Sequence, residues 1–520
     1  MLGVEIHTFR DREGPGMSRT TAFGILVLCL CGGEVSAGTR YYVDQGGSDS
    51  NAGTDSLLPW KTLGKAGSVK LSPGDSICLH RGSVWTDSLY LNSSGTAQDP
   101  VVVTCYGPPS SPAPEVTSPG EVIQVQTGSH IVIEKLFLTG GKWSGVEIAD
   151  TMSADITLQD LEISHCGGGL YLAGWNIVAR RNYIHDGKMV VNTQGAAGTP
   201  QANDDYGATG INLGRIDGCS IYGNRLVNLR APSFDYGYDG GAFEFWRSVR
   251  NCEIRDNLSY LVDGFAEFGG LKGDSMVNIS FHHNTTFEGG NFLCFHVWDS
   301  TGSSTAFGVN YKGVSADNNL EVTRLRDAGF LLLADGPRLA DSTLIEIRNN
   351  IFVADTLSGG FVYEAGAPHN IASYSHSHNI VWCPKNPFSG SAKPGQGEVW
   401  ANPSFADSLW DAAAGYDSTL AGFVPRWNSP AAGTGIAVPS DTVDELGKAV
   451  PKGSQVDIGP LLAASSSASL GSPRPFGRIP PRNAVALPGP TAPSTGFDAL
   501  GARDRGAIGG LRIEFSSPSP

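Results

Sequence analysis

Apolar and polar residues along the chain follow a recurring unit, in which two apolar residues separated by one position are followed three residues later by Asn. The unit is clear at Cys219, Ile221 and Asn224. Such alternation predicts a strand with one buried face, and the Asn predicts a turn because Asn tolerates a left-handed backbone. Copies of the unit, at intervals of roughly 20 to 40 residues, end at Asn182, Asn224, Asn257, Asn284 and Asn350, and weaker copies end at Asn319 and Asn379.

Repeats of this length predict a solenoid, in which each coil stacks on the one before. Equivalent residues of neighbouring coils then lie about 4.8 Å apart, so the Asn side chains are expected to form a hydrogen-bonded ladder. Leu136 and Leu161 take the Asn position in two earlier units. A large β-sandwich, the alternative all-β fold, would not repeat one side chain in register through so many units. We therefore predict an all-β, right-handed parallel β-helix solenoid.

Segments near both ends of the predicted solenoid resemble a known group of proteins. The N-terminal segments are YYVDQGGSDSNAGT, PWKTLGKA and SPGDSICLHRGSVW, and the C-terminal ones are NSPAAGTGI and VDIGPL. They are similar to the cap, first coil and closing segment of bacterial secreted right-handed parallel β-helix proteins of the pectin-lyase-like superfamily. The resemblance covers residues 41–462. It implies a fold and not an activity, because many enzymes and some non-catalytic proteins share that fold.

The two ends of the chain differ in composition from the predicted solenoid. Residues 1–37 are expected to hold an upstream segment and a signal peptide that starts at Met17 and is cleaved after Ala37. Residues 38–462 then form the β-helix domain with its caps. Residues 463–520, rich in Ser, Pro, Ala and Gly, are expected to form a low-complexity, disordered tail. We expect a secreted or periplasmic monomer that does not insert into a membrane.

Composition and charge narrow the classes of partner. Gly supplies 68 of the 520 residues, which suits many short strands and turns. A formal net charge of −15 argues against nucleic-acid binding, since contacts with phosphates need Lys and Arg. The cysteines beyond the predicted cleavage site are odd in number and widely spaced, so we expect mostly core thiols rather than a disulfide framework. Cys219 and Cys252 occupy inward positions of one register and are expected to be buried neighbours.

A second strand follows each Asn, and its middle residue is expected to point away from the core. Coil by coil, this position is predicted to hold Glu147, Tyr171, Asn212, Glu244, Glu267 and His296. Like charges on neighbouring strands destabilise a sheet, so adjacent Glu244 and Glu267 need an explanation. They share a proton, as in carboxylate catalysis, or they bind a cation such as Ca²⁺ together with Asn212, or their side chains are simply solvated.

Two insertions are predicted beside this pair of glutamates, TQGAAGTPQANDDYG before Asn212 and RAPSFDYGYDGG before Glu244. Loops on a rigid scaffold often carry binding groups, and carboxylates with aromatic faces suit sugar hydroxyls and sugar C–H surfaces. The alternative is that Asp and Gly only make turns. Asp239 and Arg247 join the catalytic candidates Glu244, Glu267 and His296. The substrate-binding candidates are Tyr171, Asp204, Asp205, Tyr206, Asp235, Tyr236 and Tyr238.

Three functions agree with these residues. The first is a glycoside hydrolase, whose retaining form holds two carboxyl groups about 5 to 5.5 Å apart. Neighbouring coils at about 4.8 Å would set Glu244 and Glu267 near that distance. An Asp from an inserted loop, such as Asp239, could supply the wider pair of an inverting enzyme.

The second function is a calcium-dependent polysaccharide lyase. Asn212, Glu244 and Glu267 resemble the calcium site of the alginate lyase and chondroitinase B family, which implies that Arg247 or His296 acts as the base. The third is a non-catalytic, carbohydrate-binding surface protein. We favour a secreted, polysaccharide-degrading hydrolase, which needs no cofactor, over the lyase, which would need Ca²⁺.

Overall fold

A computed structural model describes residues 38–194, 204–234, 237–270, 273–296, 309–334, 345–357, 362–363, 374–383, 394–406, 420–438, 443–445, 448–451, 453 and 455–465. The chain divides into two units, residues 1–37 and 38–520, and all described residues belong to the second. No helix among the described residues is long and apolar enough to cross a membrane. The predicted signal peptide and nearly all of the predicted tail lie outside the described residues, so both stay predictions.

The described part of the chain is built from three stacks of parallel strands, and most coils contribute one strand to each stack. The first stack comprises β4 (Leu89–Asn92), β7 (Ile123–Thr127), β10 (Ser144–Ile148), the first half of β13 (Gly168–Arg180), the first half of β17 (Thr209–Tyr222), β21 (Gly241–Trp246), β24 (Gly264–Gly269), β27 (Asn291–His296) and β30 (Leu331–Ala334). Since β13 and β17 run through a corner, they join the first stack to the second.

The second stack comprises β1 (Arg40–Val43), β2 (Ser76–His80), β5 (Val101–Tyr106), β8 (Ser129–Glu134), β11 (Ala154–Gln159), the second halves of β13 and β17, β22 (Val249–Arg255), β25 (Ser275–His282), β28 (Asn310–Asp317), β31 (Ile345–Arg348) and β33 (Tyr374–Ser377). The third comprises β3 (Val84–Trp85), β6 (Glu115–Thr117), β9 (Phe137–Thr139), β12 (Glu162–Ser164), β14 (Tyr183–His185), β18 (Arg225–Leu229), β23 (Leu258–Val262), β26 (Thr285–Phe287), β29 (Leu320–Ala328), β32 (Ile351–Leu357) and β34 (Ile380–Trp382). The predicted parallel β-helix is confirmed.

The remaining elements lie outside the stacks. They are the helix α1 (Leu63–Gly67), a 3-10 turn (Leu420–Phe423) and three antiparallel pairs, β15 (Met189–Thr193) with β16 (Asp204–Gly207), β19 (Ala231–Ser233) with β20 (Gly237–Asp239), and β35 (Gly435–Ile436) with β36 (Gln455–Val456). The first two pairs are the predicted insertions. The structure therefore adds that these insertions are β-hairpins rather than irregular loops.

The predicted Asn ladder is present in the core at the corner between the second and third stacks. The amide Nδ2 of each ladder Asn donates to Oδ1 of the next, for example from Asn224 to Asn257 at 2.9 Å and from Asn257 to Asn284 at 3.0 Å. The same bonds continue through Asn319 and Asn350 to Asn379 and join Asn182 to Asn224. All seven side chains are buried, so the ladder satisfies groups that water cannot reach.

The left-handed residue at this corner is the one before the ladder Asn, not the Asn itself. Asp256 has a φ of 52°, His283 of 53° and Asn349 of 56°. The ladder Asn is therefore selected by its hydrogen bonds rather than by a left-handed backbone, which corrects the reason given for its recurrence.

We expect Asn257→Ala to lower the free energy of unfolding by about 2 to 4 kcal/mol, because the lost amide leaves buried donors and acceptors without partners. Asn257 Oδ1 accepts from the backbone N–H and the amide of Asn224, and its Nδ2 also donates to the Ile221 carbonyl at 2.9 Å. Urea unfolding would measure the change. The matched control is Asn310→Ala on an exposed strand position, and equal losses for both variants would contradict the role of the ladder.

The cysteine prediction needs one correction. Cys219 and Cys252 are buried neighbours, paired in register, as expected. However, they are joined by a disulfide, with Cα atoms 4.5 Å apart, within the usual range for a bridge. Register places two inward cysteines on directly neighbouring strands, and this proximity outweighs the argument from an odd cysteine count. Cys78, Cys166 and Cys383 are buried thiols, as predicted.

Stacked aromatic rings fill the core beneath the first stack where the candidate site lies. The rings of Phe245, Phe268 and Phe295 follow one another with centroids 4.4 Å and 4.3 Å apart. Phe265 and Phe292 stack in the same way at 4.4 Å. Since core side chains at these distances leave little freedom, they hold the backbone of β21, β24 and β27 in a fixed position under the outward residues.

Candidate functional site

The outward positions of the first stack form one row, as the spacing predicted. In chain order the pairing runs from Gln124 in β7 to Glu147, Tyr171, Asn212, Glu244 and Glu267. Glu244 and Glu267 are direct neighbours on β21 and β24. Parallel strands lie about 4.8 Å apart, so the Cα atoms that carry the two carboxylate side chains are neighbours at about that distance.

The predicted place of His296 in this row is wrong. Cys294 is the partner of Glu267 on β27, and His296 pairs instead with Ala334 on β30. The segment around these residues alternates over Leu293, Phe295 and position 297, so either Cys294 or His296 fits between two apolar neighbours. The register of the core phenylalanines decides in favour of Cys294. The His296 side chain lies outside the described residues.

The two inserted hairpins are tied to each other beside the row. Asn192 of the first hairpin donates from Nδ2 to the Pro232 carbonyl of the second at 2.9 Å, and its Oδ1 accepts from the Phe234 N–H at 2.9 Å. The Ser233 hydroxyl donates to the Asp205 carboxylate. These cross-links fix the position of one hairpin relative to the other.

Asp239 lies at the end of the second hairpin, near Glu267 and Asp205. Burial raises the pKa of its carboxyl group, and the negative charges of Glu267 and Asp205 raise it further, to about 9. A side-chain hydrogen bond with Asp205 also raises this pKa, while the Gly240 N–H donates to Asp239 Oδ1 at 2.6 Å and partly opposes the shift. Burial and these neighbouring charges therefore favour the protonated form of Asp239, and Glu267 lies close enough to contribute to the shift.

Two tyrosines, Tyr171 in the row and Tyr206 of the first hairpin, lie near the part of the row that precedes Glu244. Burial raises the pKa of Tyr206 and of Tyr171, and the charges of Glu244 and Glu147 contribute to both shifts. The Tyr206 ring lies against Trp143, with centroids 5.9 Å apart. Both phenols therefore stay neutral and keep a hydroxyl that can donate a hydrogen bond. Tyr206, which belongs to the first hairpin, therefore lies near the row.

Glu147 and Asn212 are engaged within this part of the row. The amide Nε2 of Gln124 donates to the Glu147 carboxylate at 2.5 Å, and burial raises the pKa of Glu147. Asn212 is 4% exposed and exchanges hydrogen bonds with the Thr209 hydroxyl, at 2.8 Å from Nδ2 and 3.2 Å to Oδ1. Gln124 and Thr209 were not predicted as site residues, because neither stands out from other polar strand residues in the sequence.

The predicted basic residue of the site is held by an ion pair. Arg247 follows β21 with a φ of 74°, and its Nη1 lies 3.9 Å from the Asp274 carboxylate. Arg247 also lies near enough to Tyr171 to affect the pKa of its phenol. Arg247 thus borders the row, while its charge is shared with Asp274.

The other substrate-binding candidates differ in how they are placed. Tyr238 is partly exposed, and the Arg230 guanidinium lies over its ring at 4.0 Å. Asp235 and Tyr236 lie outside the described residues, as does the Asp204 side chain. The structure thus brings Asp205, Tyr206 and Asp239 to the row and leaves Tyr238 beside Arg230. The catalytic, binding and metal roles of all these residues stay predictions.

No group of three or more His, Cys, Asp and Glu side chains within the described ranges has an arrangement suited to a metal ion. Asn212, Glu244 and Glu267, the predicted calcium ligands, do occupy three consecutive register positions. The Asn212 amide oxygen, however, is engaged by Thr209. The described row thus carries the adjacent pair Glu244 and Glu267, with Asp239 of the second hairpin close to Glu267.

Comparisons with known proteins bear on the fold of the chain. No family model matches it. A stretch of 91 residues is 40% identical to the lacto-N-biosidase of Bifidobacterium longum subsp. longum. The match covers 16% of this chain and only 6% of that protein, so the chain corresponds to a small part of this curated relative.

The similar solved structures include lyases and a lacto-N-biosidase. Pectate lyase Pel9A is 14% identical and has a TM-score of 0.47, with 83% of this chain and 98% of that chain covered. The GH136 lacto-N-biosidase from Eubacterium ramulus is 14% identical, with coverages of 69% and 66% and a TM-score of 0.37. The alginate lyase from Paenibacillus sp. str. FPU-7 is 15% identical, with coverages of 59% and 92% and a TM-score of 0.39. These likenesses, at 14 to 15% identity, concern the fold alone, which is the parallel β-helix that the predicted resemblance implied.

Proposed function

We propose that the protein is a glycoside hydrolase that cleaves a glycan in an acidic cleft over Glu244 and Glu267 of the first stack. The observation that carries the proposal is the adjacent pair Glu244 and Glu267, together with the buried Asp239 whose pKa the charge of Glu267 helps to raise. Glycoside hydrolysis needs one carboxyl group that donates a proton and another that is ionised. Burial and neighbouring negative charges raise the pKa of one carboxyl group above that of the other, so that one stays protonated while the other is ionised.

In this proposal Asp239 is the general acid and Glu267 the nucleophile. The Glu267 carboxylate attacks the anomeric carbon while the bond to the glycosidic oxygen breaks, and Asp239 gives its proton to that oxygen. A covalent bond then joins the sugar to Glu267. Asp239, now ionised, takes a proton from a water molecule that attacks the same carbon and releases Glu267. Glu244 accepts hydrogen bonds from sugar hydroxyls, and its charge favours the positive transition state.

The charges around the cleft favour a neutral glycan over a polyuronate. Asp205, Glu244 and Glu267 supply the acidic side, and a uronate carboxylate would be repelled unless a cation screened it. Two basic residues, Arg215 and Arg247, lie near Tyr171 of the row, and Arg247 lies 3.9 Å from the Asp274 carboxylate. The uncharged sugar therefore fits the cleft without a bridging ion, which favours hydrolysis over calcium-dependent elimination.

Incubation of the purified protein with a panel of neutral and acidic polysaccharides, with and without a calcium chelator, tests the proposed function. We expect new reducing ends from a neutral glycan, no ultraviolet absorbance from an unsaturated product, and no effect of the chelator. Absorbance that appears only with Ca²⁺ would identify a lyase. Binding without any product would identify a carbohydrate-binding protein and would overturn the proposal.

A further inference from the structure

Trp246 lies on the same outward face of β21 as Glu244, two residues further along the strand. Its register partner on the next strand is Gly269, just as Glu267 is the partner of Glu244. The indole thus occupies the row next to the acidic pair. It is 38% exposed, unusually high for a tryptophan within a strand.

Gly269 is what allows the indole to take this place. A Cβ atom at Gly269 would overlap the Cζ3 and Cε3 atoms of the Trp246 ring. The ring therefore rests against the bare backbone of β24, with no side chain beneath it. Since this contact covers only one side, the remaining ring surface faces outward, beside Glu267.

The row on the opposite side of the glutamate pair is buried. Glu147 is 7% exposed and Asn212 4% exposed, and Tyr206 packs against Trp143. Among the described residues of the first stack, the exposed apolar surface closest in register to Glu244 and Glu267 is therefore the Trp246 ring.

We infer that Trp246, supported by Gly269, is an aromatic platform on which one sugar ring of the substrate stacks beside the cleavage site. This inference rests on the proposed function and deepens it by naming a binding residue and the face of sugar it recognises. The C–H groups of a pyranose ring form an apolar face that packs on an indole, as apolar surfaces do on aromatic rings in general. The platform therefore selects sugars with an unbroken apolar face, and it lowers KM by holding the neighbouring bond over Glu267.

The test compares Trp246→Ala, Trp246→Phe and Gly269→Ala with the control Trp175→Ala, which removes an indole that is 51% exposed on the second stack. The probes are neutral gluco- and galacto-oligosaccharides of increasing length. We expect Trp246→Ala to raise KM about tenfold with a smaller change in kcat, because a lost stacking contact mainly weakens binding. Trp246→Phe should retain part of the affinity, and Trp175→Ala should behave like the unchanged protein.

Gly269→Ala should act through the indole, because the added methyl group displaces the ring. We therefore expect it to raise KM in the natural background and to have no further effect once Trp246 is replaced by Ala. An unchanged KM in Trp246→Ala, or an equal rise of KM in Trp175→Ala, would overturn the inference about the platform. The proposed function would still stand in that case, provided that the parent protein turns over the substrate.

If the parent protein binds these glycans without turnover, the proposed function fails, and the platform is judged on affinity alone. Titration calorimetry with the same oligosaccharides then decides. Weaker binding by Trp246→Ala but not by Trp175→Ala supports the platform, and equal affinities contradict it.

Discussion

Replacing Glu267 by Gln is expected to lower kcat by roughly 10³-fold or more, because a nucleophile cannot be substituted by an amide of the same shape. Glu244→Gln is expected to lower turnover as well, by less, since Glu244 orients the sugar and stabilises charge without forming a bond. Both residues lie outward over stacked phenylalanines. The melting temperature should therefore stay close to that of the parent protein.

Steady-state kinetics and thermal melts of the purified variants measure these effects. The matched control is Glu115→Gln, which changes a half-buried outward glutamate of the third stack, away from the cleft. A calcium-dependent lyase would respond differently, because excess Ca²⁺ would partly restore activity to a variant that lacks one ligand. Unchanged turnover in both Glu244→Gln and Glu267→Gln would show that the row is only a solvated face.

The second large effect is expected for Asp239→Asn. Loss of a general acid slows cleavage by about 10²- to 10⁴-fold when the leaving group needs a proton. The loss should be much smaller for an aryl glycoside whose leaving group is stable as an anion. The ratio of kcat/KM values for the two kinds of substrate, measured in the variant and in the parent protein, separates a general acid from a residue that only supports the hairpin. Equal losses on both substrates would contradict the assigned role.

The raised pKa of Asp239 also predicts a pH dependence with a definite sign. The parent protein should keep its activity through neutral pH and lose it as the pH rises towards about 9, where Asp239 gives up its proton. The folded state holds this proton more tightly than the unfolded chain does, so its contribution to stability is lost as the pH rises above the ordinary Asp value of about 3.9. Asp239→Asn should therefore gain stability relative to the parent protein as the pH rises.

The β-helix and the glutamate pair were predictable from the sequence because both depend on register alone. Each Asn in the ladder marks the same point of a coil, so the strand that follows can be aligned without knowledge of side-chain contacts. Counting residues from the ladder Asn in each coil then predicts that Glu244 and Glu267 are neighbours, and the structure pairs them as predicted. The misplacement of His296 shows the limit of this method, since an alternating stretch offers two equivalent outward positions, and only the packing of Phe268 on Phe295 selects one.

The contacts between the hairpins could not be predicted in this way. Asp205 and Ser233 belong to insertions that follow no repeat, and their bond depends on how two hairpins rest on neighbouring coils. The pKa of Asp239 depends on the same contacts, so the sequence could name Asp239 as a candidate but could not assign it a proton. Trp246 had a usable signal, because it lies two residues after Glu244 and its register partner is a glycine.

The central claim is that the acidic cleft cleaves a glycosidic bond by adding water, and the mass balance of the reaction tests it most directly. Mass spectrometry of a defined neutral oligosaccharide and its products, after incubation with the purified protein, gives this balance. The account predicts two products whose masses add up to that of the substrate plus one water molecule, and none from Glu267→Gln under the same conditions. Products whose masses add up to that of the substrate alone would show elimination instead of hydrolysis and would contradict the account.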